Sequence, residues 1–208
     1  MKRKSLLLLS LSLSILLLFV SCEGDAKITL KNNGSVAFSF SGFLGDAFEE
    51  MMSGAGGDLS GVDEEGIALA LRDSGFENIN VDVDADKNLI SISFEDKQRD
   101  SYLFSENIVQ VKGDSIELSL TASQFLRLYE LSGDDIIALL DLFISPVLND
   151  EVMTEEEYIE TVEVTYGAEV GKELKDSNVN FIITDKNGKT KRKSVYATSI
   201  FCGVPLKL

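Results

Sequence analysis

Histidine and tryptophan are absent from the 208 residues, cysteine and proline occur twice each, and 19 cationic side chains face 35 acidic ones. Without histidine, Ser-His-Asp and Cys-His catalysis are excluded, as are histidine metal sites. The acidic excess, a formal net charge of −16, gives a surface that repels nucleic acid and bulk anionic lipid. No Pro/Ser linker or low-complexity tract divides the chain. A run long enough to cross a bilayer is also lacking. The apolar-rich stretch Leu6 to Val20 covers about 22 Å at ~1.5 Å per residue, short of the ~30 Å hydrocarbon slab. What remains, 44% hydrophobic and 26% charged, is the composition of a globular protein.

That stretch follows Met1-Lys2-Arg3-Lys4 and leads into Phe19-Val20-Ser21-Cys22. A basic head, a short apolar middle and a small residue before the cut read as an export signal over 1–21. Phe19-Val20-Ser21-Cys22 resembles the lipobox of bacterial lipoproteins, in the looser form of spirochaete-type members that accept phenylalanine for the usual first leucine. The resemblance covers the first 22 residues and does not extend to the mature domain. It implies cleavage by signal peptidase II, a diacylglyceryl group on the Cys22 sulfur and a lipid-anchored protein of the cell envelope, periplasmic or surface-exposed. Which membrane carries it is left open. Removing the three cations at 2, 3 and 4 would take the net charge to −19. With Cys22 lipidated, Cys202 has no disulfide partner, so stability must come from a core, for which 187 residues suffice. Residues 22–25 read as the lipid-attachment residue and a tether reaching about 12 Å.

Residues 26–208 read as one α+β domain with a largely antiparallel sheet built from hairpins. Ala26–Leu30 and Val36–Ser41 alternate around Asn32-Asn33-Gly34, a hairpin signal. Phe43, Leu44, Ala47, Phe48, Met51 and Met52 fall at helical spacing opposite Asp46, Glu49 and Glu50, and predict a helix over 43–52 that runs into Gly54-Ala55-Gly56-Gly57. A second helix fits Asp63 to Ser74, with Asp63 as N-cap and Gly75 beyond its end. Hairpins then pair Ile79–Val83 with Leu89–Phe94 and Ile108–Val111 with Ile116–Leu120. Helices are expected over Ser123–Leu131 and Asp134–Ile144, the latter mostly apolar around its circumference and stopped by Pro146.

Thr154 with Glu157 forms a capping box, and Tyr158, Val162, Tyr166, Val170 and Leu174 continue one helical face. A strand from about 161 competes, because Val162, Val164 and Tyr166 also alternate with Thr161, Glu163 and Thr165. The last hairpin joins Val179–Thr184 to about Ser194–Ile200 across Asp185-Lys186-Asn187-Gly188. The element order hints at a duplicated ββααββ unit without a residue-level repeat.

Chemistry-bearing motifs are few. Cys202 reads as a small core hydrophobe. The glycines at 54, 56 and 57 lack the spacing of a dinucleotide loop, and no Walker lysine occurs. Asp82, Asp84, Asp86 and Asn88 alternate like a calcium loop, but Lys87 stands where that loop needs glycine and Ser93 where it needs glutamate, so a polar turn is expected. Lys189, Lys191, Arg192 and Lys193 form the sole basic cluster past the signal. They read as a charged edge strand or as a contact for lipid headgroups or an acidic partner.

No catalytic residue, metal ligand or cofactor is expected. The leading expectation is a non-enzymatic, membrane-anchored envelope protein that binds lipid, a hydrophobic ligand or a membrane-protein partner. Phe43, Phe48, Met51 and Met52 are the candidate hydrophobic-binding residues, on a helix that either packs on the sheet, as an apolar stripe at helical spacing usually does, or moves about the Ser/Gly-rich segment after it. The rivals are a carboxylate enzyme of the envelope, acting for example on glycans, and a structural or antigenic surface protein with no small ligand. A continuous apolar pocket would favour the first reading, and two convergent buried carboxylates in a cleft the enzyme.

Overall fold

The structure, a computed structural model, describes residues 23–54, 62–130 and 153–208. The expected signal over 1–21, Cys22, the loop glycines at 56 and 57 and the expected helix Asp134–Ile144 with Pro146 lie outside the described residues. In chain order the elements are β1 (Glu23–Leu30), β2 (Val36–Phe43), α1 (Asp46–Gly54), α2 (Glu64–Asp73), β3 (Glu77–Asp84), β4 (Leu89–Asp96), α3 (Tyr102–Ser105), β5 (Val109–Lys112) and β6 (Ser115–Leu120). They continue with α4 (Ala122–Glu130), α5 (Glu155–Tyr166), α6 (Ala168–Asp176), β7 (Asn178–Thr184), β8 (Thr190–Tyr196), α7 (Ala197–Phe201) and β9 (Leu206–Lys207).

The fold is α+β. Six strands form a sheet in the order β3-β4-β2-β1-β7-β8, antiparallel throughout except for β1 beside β7, and β5-β6-β9 form a smaller one. Period-two alternation gives the large sheet one apolar face: Ala26, Ile28 and Leu30 of β1 lie beside Phe38, Phe40, Ile92, Phe94, Phe181 and Ile183, all buried. On this face Phe94 stacks on Phe38 with ring centroids 5.1 Å apart and meets Phe76 at 4.5 Å. A second aromatic cluster, Phe125, Tyr158 and Phe201, joins α4, α5 and α7 at 6.1–6.3 Å. Apart from Ala37, Phe43, Leu89, Ile182 and Tyr196, the opposite face carries serine, threonine, asparagine and charged residues and is solvated, the usual division for an antiparallel sheet.

The predicted caps have the geometry expected of them. Asp63 accepts from the Gly66 N–H at 2.8 Å, and past α2 the Phe76 and Gly75 N–H groups donate to the Leu71 and Arg72 carbonyls, with Gly75 at φ +88°. Thr154 and Glu157 exchange both bonds of a capping box, and 155–166 is helix rather than strand. The Tyr158–Leu174 face is cut into α5 and α6 at Gly167, whose φ of +103° an L side chain rarely adopts.

Four expectations are corrected. Residues 23–25 are not a tether: they belong to β1, because their backbones pair with both β2 and β7. The helix expected from Phe43 begins at Asp46, since Phe43 is still laddered between Glu23 and Leu89. The final strand is Thr190–Tyr196 rather than 194–200, and 197–201 is helical because Ala197, Ile200 and Phe201 are buried at i, i+3 and i+4. The suggested duplication fails in space, because β3 and β4 complete the large sheet with β1 and β2 while β5 and β6 leave it for the smaller one.

Candidate functional site

Of the four candidate hydrophobic-binding residues, Phe43, Phe48 and Met51 do not share a surface. Phe48 is wholly buried in the core, Phe43 points from the opposite face of β2 with 45% of its surface exposed, and Met51 is half-buried against the core. The side chain of Met52 lies outside the described residues. The first turn of α1 is pinned by Glu173 of α6, whose carboxylate accepts from the Ala47 and Phe48 N–H groups at 2.9 and 3.1 Å. The first N–H groups of a helix point out of its end, so a carboxylate there accepts from them and complements the helix dipole. Of the two readings of this helix, the structure has the core one, with an external cap.

An apolar void does exist, between the large sheet and the β5-β6 hairpin, lined by Ile28, Phe38, Phe40, Leu103, Leu118 and Phe181 among others. Its volume is about 40 Å³. By that measure a water molecule needs about 10–15 Å³, so the void admits a few waters and is not room for an acyl chain.

A larger concavity lies where α5, the end of α6 and the junction of β8 with α7 meet, with a volume of about 510 Å³. Its floor combines the buried side of Ile159 with the ring of Tyr196, which is 58% exposed. Around them stand Glu155, Glu156, Glu160, Glu163 and Asp176, all solvent-exposed, against a single ammonium, Lys175. Sequence builds this rim directly. The capping box starts α5 at Glu155, and glutamates at 156, 160 and 163 then recur on the face turned away from Tyr158, Ile159 and Val162. Glu155 is held by the hydroxyls of Thr198 and Ser199, each donating at 2.7 Å, which ties the groove to α7. Burial, aided by the charge of Glu155, pushes the nearby Cys202 thiol up to about 11, so it stays protonated at neutral pH and is a poor nucleophile.

Among the described residues two carboxylates are buried, and both are engaged elsewhere. Glu95 accepts from Lys31 Nζ at 2.5 Å, from Asn78 Nδ2 at 2.8 Å and from Ser35 Oγ, and Lys31, then Ser35, hold its carboxyl down to about 2. Asp96 accepts from the Arg99 and Ser101 N–H groups and fixes the turn after β4. Asp82 to Asn88 form the end of β3 and a 3-10 turn with Asn88 left-handed at φ +52°, and Lys87 pairs with Asp84 at 2.5 Å. Among the described residues no cluster of three or more metal-ligating side chains occurs.

Lys189, Lys191, Arg192 and Lys193 lie exposed on or beside β8, which is an edge of the large sheet, and none of them forms an ion pair among the described residues. Sequence reasoning found this edge but missed the groove. The signals were the glutamate stripe on α5 and Tyr196 at the end of β8, residues that only tertiary structure brings together. Compared with family models, curated proteins and solved structures, the chain matches none.

Proposed function

We propose that the protein is a lipid-anchored, non-enzymatic binding protein of the cell envelope, attached through Cys22, whose groove beside Tyr196 takes a cationic segment of a membrane-protein partner. The observation that carries this reading is the composition of that groove. It has the size of a ligand site, an aromatic ring and an aliphatic floor for methylene stems, and five carboxylates against one ammonium. Lysine and arginine side chains match that combination, with Tyr196 available to a guanidinium or ammonium over its face.

The rival enzyme reading needs two convergent, buried carboxylates. The groove carboxylates are solvent-exposed, and Glu95 and Asp96 are consumed by structural hydrogen bonds. Among the described residues the apolar void beside Phe38 and Phe181 holds about 40 Å³, too little for an acyl chain.

Titration of the protein with a short Lys/Arg peptide tests the groove. Binding should weaken with salt, and Glu156→Lys combined with Glu160→Lys should weaken it at least tenfold, ~1.4 kcal/mol. Unchanged affinity in that variant would contradict the reading.

A further inference from the structure

The strand register places six residues directly opposite one another in the terminal row of the large sheet: Asp84, Leu89, Phe43, Glu23, Asn178 and Tyr196. All six belong to the solvated face. Phe43 and Tyr196 are 45% and 58% exposed, unusual for rings of this size. Two residues further along each strand, the next row on the same face holds only serine, asparagine and aspartate. Bulky apolar side chains on this face are thus gathered at one end of the strands, with Ile182 the exception. Glu23, in the middle of that row, directly follows Cys22.

We propose that this row seats the domain upright on the bilayer, with Phe43 and Tyr196 entering the headgroup boundary on either side of the lipid carried by Cys22. The proposal rests on the lipid-anchor reading. The two rings lie one and two strand spacings from β1, roughly 5 and 10 Å, so both are within reach of a bilayer to which Glu23 is held. Aromatic side chains favour that boundary, and tyrosine keeps its hydroxyl in the hydrated layer. Asp25 and Asp82 in the row above, with Glu23 and Asp84 in the row itself, fit a zwitterionic surface and not an anionic one. A seat of this kind supplies the second attachment that makes a lipid anchor firm and oriented. It also brings the groove beside Tyr196 down to the membrane surface.

The chain contains no tryptophan, so Phe43→Trp and Tyr196→Trp each introduce a lone fluorophore. Ser39→Trp serves as reference, exposed on the same face of β2 and about 13 Å further from the anchored end. Each variant, processed in cells, extracted and reconstituted into phosphatidylcholine vesicles, is mixed with lipid brominated near the headgroup. The expected result is blue-shifted emission at positions 43 and 196 and quenching there several-fold stronger than at 39. Water-like emission from all three in protein that floats with the vesicles would overturn the seat and leave the anchor standing. Equal quenching of all three would mean that the sheet lies flat and would also overturn it. Failure of the unsubstituted protein to float would remove the anchor and this inference with it.

Discussion

Glu95 sits in the interior with one ammonium, a hydroxyl and an amide converging on its two oxygens, and it stays ionised because all three stabilise the charged form. Its carboxyl is held at about 2, below the usual 4.5, so its contribution is complete above pH 4.5 and is lost as pH falls toward 2. Chemical denaturation at pH 7 and pH 3 should therefore show the wild-type protein losing stability between the two. The Glu95→Gln variant should be weaker at pH 7 by about 1–3 kcal/mol, the range for breaking buried hydrogen bonds to a charge, and should lack that part of the acid loss. An identical acid loss in both would refute this role. Little of this hub was legible in sequence. Lys31 and Ser35 flank a recognisable hairpin turn, but Asn78 reaches Glu95 only because the strand slips at 78–79, with Asn78 left-handed at φ +52°.

Elements were legible where local chemistry decides them and misread where tertiary pairing does. Asp63, Gly75, Thr154 and Glu157 cap their helices as their residue types dictate, because a cap is a contact within four residues. Phe43 has helical spacing to Ala47, four residues on, yet two neighbouring strands extend β2 over it. Helical spacing at Ala197, Ile200 and Phe201 was in plain view, but the alternation of the preceding strand masked it. The beginning of β8 had no apolar face to reveal it, since residues 190–194 of an edge strand are exposed on both sides. The separation of Phe43 from Phe48 is measurable. Phe48→Ala should cost ~3–5 kcal/mol in denaturant unfolding, as for a buried phenylalanine, and Phe43→Ala about 1 kcal/mol or less. Equal costs would restore the single apolar helix face.

At the scale of the molecule, both edges of the large sheet are guarded. β3 is blunted by the irregularity at 77–80 and by Glu64, whose carboxylate takes the Val83 N–H at 2.9 Å, and β8 carries four exposed cations on or beside it. The α+β class followed from counting hairpins and helices, but the strand order did not. Parallel pairing of β1 with β7 joins residues about 155 positions apart, and nothing local encodes it. That pairing sets Glu23 and Tyr196 in one row and so brings the groove to the end of the sheet nearest Cys22. Both the bilayer seat and the membrane-side placement of the groove depend on Cys22 carrying lipid. Metabolic labelling with palmitate, followed by intact mass of the membrane-extracted chain, tests this most directly. The account predicts a labelled wild-type protein that begins at Cys22 with acyl mass added, and a Cys22→Ser variant that is unlabelled and uncut. An unlabelled wild-type chain, or normal cleavage of Cys22→Ser, would contradict it.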